Sequence, residues 1–105
     1  MSMFNKKYKE NELNELERQY LTEIKSADIV YGARHIYYEI VKSDKDFQFT
    51  LSNYKDYLGR ILDVIYYKIC SSDSKYKNMS IDRVRDISHY RVNGILRYLI
   101  ARDRI

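Results

Sequence analysis

The sequence predicts a mostly α-helical single domain, and three observations carry that prediction. The 105-residue chain has no proline and only three glycines, so little in it breaks a helix. Its apolar residues recur at steps of three and four over long stretches, the period that gathers side chains on one helix face. Hydrophobic residues make up 45% of the chain, enough for one core. A chain this short covers proportionally little of its surface with such a core, and a homodimer would relieve that shortage.

Residues 1–9 are polar and basic and read as an arm. From residue 10 the helical period begins, with Leu13, Leu16, Tyr20, Ile24, Ala27 and Tyr31 on one face. The register then passes to Ile29, Ala33, Ile36, Tyr37 and Ile40. "IKSAD" and Gly32 are soft points, so residues 10–42 predict either one long helix or a helical hairpin. A single helix would be about 50 Å long at roughly 1.5 Å per residue. That length demands either a fold-back or pairing with a second copy, and this region is the expected dimer interface.

The period breaks at "KSDKDFQFTLS". Phe47, Phe49 and Leu51 alternate with polar residues, which predicts one short strand or an extended link near 47–51. Ser52 or Asn53 is placed to cap the next helix. In that helix Leu58, Ile61, Leu62, Ile65, Tyr66 and Ile69 face inward as the centre of the core. "SSDSKYKN" is a polar loop, and a further amphipathic segment follows to the end of the chain. The whole reads as an arm, an N-terminal helical region at 10–42 and a tri-helical region at 53–105.

Charge is segregated. The net charge is +4, yet residues 75–105 carry eight Lys/Arg against three Asp, while residues 1–74 carry eleven Lys/Arg against twelve Asp/Glu. Six of the eight late cations are Arg, whose planar fork of donors suits phosphate and guanine edges. Such a balance points to an anionic partner.

The basic stretch "SIDRVRDISHYRVNGILRYLIARDRI" resembles the helix-turn-helix of the winged-helix superfamily over residues 80–105, without the wing strands. The family's first apolar anchor falls on Ile81 and its helix cap on Ser88. Its recognition-helix anchors fall on Val92, Leu96 and Leu99, and its closing apolar residue on Ile105. Asp82, Asp86 and Asp103 stand where the family has small residues. Two helices crossing over a tight turn would bury Ile81, Val84 and Ile87 on one side and Val92, Leu96 and Leu99 on the other. With residues 88–102 as recognition helix, His89, Tyr90, Arg91, Asn93, Gly94 and Arg97 would face the major groove. There Arg reads guanine or grips phosphate, and Asn pairs with adenine. Arg83, Arg85, Arg102 and Arg104 would flank them as backbone contacts.

Other chemistries lack their residues. Two His and one Cys make no familiar zinc site, no glycine-rich phosphate loop exists, and no cofactor is implied. His35 and Glu39 share a helix face as ordinary i,i+4 neighbours. Ser88–His89 has no orienting third group, and Cys70 reads as a small hydrophobe. No enzyme, small-molecule substrate or membrane span is expected, and one cysteine with no apolar leader suits a cytoplasmic protein.

The expectation is a small dimeric DNA-binding protein whose partner is double-stranded DNA. It would be a repressor-like transcription regulator or an accessory DNA-processing factor of a plasmid or phage. The alternative is a helical protein–protein interaction module. A third reading has Tyr76 and Tyr90 stacking on single-stranded bases.

Overall fold

A computed structural model describes residues 12–72 and 74–105. The basic arm at 1–9 therefore lies outside the described residues. The fold is mostly helical: α1 spans Glu15–Glu23, α2 Ser26–Val41, α3 Leu58–Ser72 and α4 Ile81–Ala101, with 3₁₀ turns at Tyr54–Asp56 and Ser74–Tyr76.

α1 begins at a capping box. The Glu17 backbone N–H donates to Asn14 Oδ1 at 2.8 Å, and the Asn14 N–H donates back to Glu17 Oε1 at 3.0 Å. The helix stops because Ile24 and Lys25 turn extended, which drops Ile24 into the core at 1% exposure. α2 restarts with Asp28 accepting from the Lys25 N–H at 2.9 Å. The break falls at the "IKSAD" soft point, so residues 12–42 form two helices, with α1 packed on α4, and make no 50 Å rod. Ala27 and Tyr31, expected inward on a continuous helix, are exposed because the break resets the register. Gly32 makes no break.

α2 and α3 lie antiparallel. Asp28 at the start of α2 meets Lys68 near the end of α3 at 2.5 Å, and Glu39 near the end of α2 meets Arg60 near the start of α3. Between these ion pairs Gly32 faces the Ile61 and Ile65 turns of α3. All six α3 residues expected inward are buried, and Tyr20, Ile24, Ile29, Ala33 and Ile36 pack on them.

No strand occurs among the described residues, and 47–51 is a loop. The alternation there has a different cause. Phe47 is buried in an aromatic knot, its ring 6.0 Å from Tyr37, 5.0 Å from Phe49 and 5.4 Å from Tyr57, while Leu51 stays exposed. Asn53 staples this loop, accepting from the Thr50 N–H at 2.8 Å and donating to the Gln48 carbonyl at 2.9 Å. The link after α3 is held similarly. The Tyr66 hydroxyl donates to the Met79 carbonyl at 2.6 Å, and burial pushes its pKa up to about 12, so it remains a donor.

The largest correction concerns the last third. α4 is one uninterrupted 21-residue helix, about 30 Å long, and no turn separates 81–87 from 88–102. The region at 53–105 therefore holds two α-helices rather than three. Ser80 caps α4, accepting from the Arg83 N–H. Ser88 is fully buried in mid-helix, its hydroxyl donating to the Val84 carbonyl one turn back. The periodicity explains this: Val84, Ser88, Val92 and Leu96 follow at steps of four, so Ser88 occupies a core position of one continuous helix. α4 ends in a Schellman turn, with Arg104 N–H donating to the Leu99 carbonyl at 2.9 Å and Asp103 N–H to the Ile100 carbonyl at 3.0 Å. Asp103 takes the left-handed conformation at φ 55°, which Asp tolerates better than most residues.

Candidate nucleic-acid interface

The inward ridge of α4 is Val84, Ser88, Val92, Leu96 and Leu99, all buried, with Ile81, Ile87 and Ile105 half-buried. That ridge fixes the opposite side. His89, Tyr90, Arg91, Gly94 and Arg97 are exposed and Asn93 is half-buried, so the expected outward row does face outward. Tyr98, which the resemblance left aside, joins it with 54% of its surface exposed. Its place one turn beyond Gly94 was readable from spacing alone.

The six arginines divide into two groups. Arg83 donates from Nε and Nη2 to the two Glu17 carboxylate oxygens at 2.6 and 3.0 Å, tying α4 to the start of α1. Arg85 forms the same forked pair with Asp63 of α3, at 2.8 Å from Nε. Arg91 donates to the Leu21 carbonyl at 2.5 Å, satisfying one of the acceptors that the end of α1 leaves open. These three tie α4 to α1 and α3, a structural role that the expectation of Arg83 and Arg85 as DNA-backbone contacts and of Arg91 as a base reader did not include. Arg97, Arg102 and Arg104 are exposed and have no ion-pair partner among the described residues. Arg102 lies with its guanidinium 5.7 Å from the centre of the Tyr98 ring, a cation–π contact.

The ion pairs leave a signature in the titration. The hydrogen bonds from Arg83 hold the Glu17 carboxyl below its ordinary range, against the opposing effect of burial. The hydrogen bond to Asp63 raises Arg85 further. A group whose folded pKa is depressed contributes stability above its unfolded pKa and loses it as pH falls through the folded value. Glu17→Gln is therefore expected to lower stability by about 2 kcal/mol at pH 7, the scale of a charged hydrogen bond. It should also flatten the loss of stability between about pH 5 and pH 3, where carboxylates titrate. Urea melts across that window check this; a parent-like slope in the variant refutes the assignment.

Elsewhere the chemistry is sparse. No group of three His, Cys, Asp or Glu among the described residues is placed to hold a metal. His35 Nε2 lies 3.3 Å from Glu39 on an exposed face, and Glu39 is shared with Arg60. Cys70 is half-buried with a free thiol. Tyr76 is fully buried, which removes it as a base-stacking surface. A shallow groove between α1 and the Ser74–Tyr76 turn is lined by both charges and converges on no reactive group. No described helix is long and apolar enough to cross a membrane. Comparison with protein families, characterised proteins and solved structures found no match to the chain.

Proposed function

We propose that the protein binds double-stranded DNA through the outer face of α4, as a repressor-like regulator or an accessory factor in plasmid or phage DNA processing. One observation carries this reading. After the internal pairs are formed, Arg97 near the end of α4 and Arg102 and Arg104 just beyond it remain exposed and without carboxylate partners among the described residues. Asn93, Gly94 and Tyr90 share the outer side of α4 with Arg97. A polyanion supplies the charge this surface lacks. Docking differs from that of a helix-turn-helix, because a single unbroken helix meets the duplex.

The homodimer belongs to the proposal as well, although the argument from a long N-terminal rod falls away with the break between α1 and α2. A second reading, a protein-interaction module, is favoured by the exposure of Tyr31, Tyr38 and Tyr67 on α2 and α3, at 47%, 62% and 59%. Tyrosines of this kind are common at interfaces.

A salt series of anisotropy titrations on random duplexes tests the reading, with light scattering to count subunits. Three arginine–phosphate contacts give a slope of log K against log salt of about −2.7 per protomer. Replacing Arg97 and Arg102 by Gln should reduce it to about −0.9. No binding at 50 mM salt rejects DNA as the partner and leaves the protein-interaction reading.

A further inference from the structure

Gly94 lies in the middle of α4, where glycine weakens a helix, and nothing in the fold requires it. A Cβ built at Gly94 meets no atom within 4 Å, and its φ is negative, so neither crowding nor backbone conformation excludes a side chain. Its surroundings make a notch. Tyr90 stands one turn before it and Tyr98 one turn after, both more than half exposed. At roughly 1.5 Å per residue these two rims are about 12 Å apart along the helix. Arg97 and Asn93 flank the floor, and Arg102 sits beside the Tyr98 rim.

Charge decides what fits. From Ile87 to Arg102 the helix has no carboxylate and carries Arg91, Arg97 and Arg102. A second copy of α4 crossing at Gly94 would set these arginines against their own counterparts, and like charges in close approach oppose association. A phosphodiester strand is complementary in charge and thin enough to enter a notch with a glycine floor.

We propose that the sugar–phosphate backbone of a nucleic acid crosses α4 at Gly94, with a phosphate on Arg97 and the sugars against Tyr90 and Tyr98. This rests on the DNA-binding reading and deepens it. α4 grips backbone at its midpoint, where contacts carry no sequence information.

Gly94→Leu tests the notch, read by anisotropy on random, AT-rich and GC-rich duplexes together with a thermal melt and light scattering. The expected result is a melting temperature equal to or above that of the parent, because Leu favours helix, with at least tenfold weaker binding. Gly94→Ala should fall between. The parent should bind the three duplexes within about threefold of one another, as backbone contacts require. A Gly94→Leu variant that binds as tightly as the parent overturns the notch while DNA binding stands. A parent that binds none of the duplexes overturns the underlying reading itself. A parent dimer that becomes monomeric in Gly94→Leu overturns the strand and assigns the notch to a second copy.

Discussion

Ser88→Pro is expected to lower stability by about 3 kcal/mol or more, and with it the melting temperature by roughly 12–24 °C. Proline at 88 deletes the N–H that continues α4, and its ring collides with the Val84 carbonyl, the acceptor of the Ser88 hydroxyl. The position has no room to adapt, being fully buried between Val84 and Val92. The same substitution separates the two architectures. Were Ser88 the cap of a recognition helix after a turn, it would have no intrahelical N–H bond to lose, and proline would cost only the cap, about 1 kcal/mol. A far-ultraviolet dichroism melt gives the answer, and a loss of about 1 kcal/mol or less would restore the turn. The outcome bears on function as well as fold. A continuous α4 presents about 30 Å of one face to a partner, whereas a broken one would present only its second half.

How much of this was legible in the sequence depends on the range of each interaction. Faces were legible. The inward residues of α3 and the outward row of α4 follow from spacing within a few residues, which a helix converts directly into direction. "IKSAD" and Gly32 were equal soft points, and spacing did not choose between one helix and two. Ser88 misled because serine is both a preferred cap and a tolerated core residue when it bonds back to the previous turn. The steps of four from Val84 to Leu96 carried the correct answer. Arginine roles were not legible. Glu17 and Arg83 are 66 residues apart and Leu21 and Arg91 are 70 apart, and no local pattern records such partners. Glu17 shows how a local reading falls short. The capping box with Asn14 is a visible sequence motif, yet the same carboxylate also holds Arg83 of α4. Phe47 and Phe49 show the converse case. Their alternation is that of a strand, but the loop turns them onto Tyr37 and Tyr57 of flanking segments, and ring packing replaces a hydrogen-bond ladder.

The approach of α2 to α3 at Gly32 predicts the other large effect. Gly32→Val should cost about 3 kcal/mol, while Gly94→Ala, a change from the same residue in another mid-helix position, should raise stability by up to about 1 kcal/mol. The contrast lies entirely in what surrounds each site. A Cβ at Gly32 would stand 3.1 Å from the Ile61 carbonyl oxygen, 3.1 Å from Ile65 Cγ1 and 3.2 Å from Ile61 Cγ2. The first is backbone of α3 and yields only if the helix moves. That helix is pinned on either side of the contact by Asp28–Lys68 and Glu39–Arg60. Relief by sliding α3 outward would also loosen Ile61 and Ile65, both fully buried. Ala adds the Cβ alone and recovers about 1 kcal/mol of helix propensity, so Gly32→Ala should lose less than Val. Val adds two methyls at the same point with a smaller propensity gain, and nothing offsets the overpacking. Urea denaturation of the three variants beside the parent reads both signs. If Gly32→Val leaves the midpoint unchanged or raises it, α2 and α3 do not meet at Gly32.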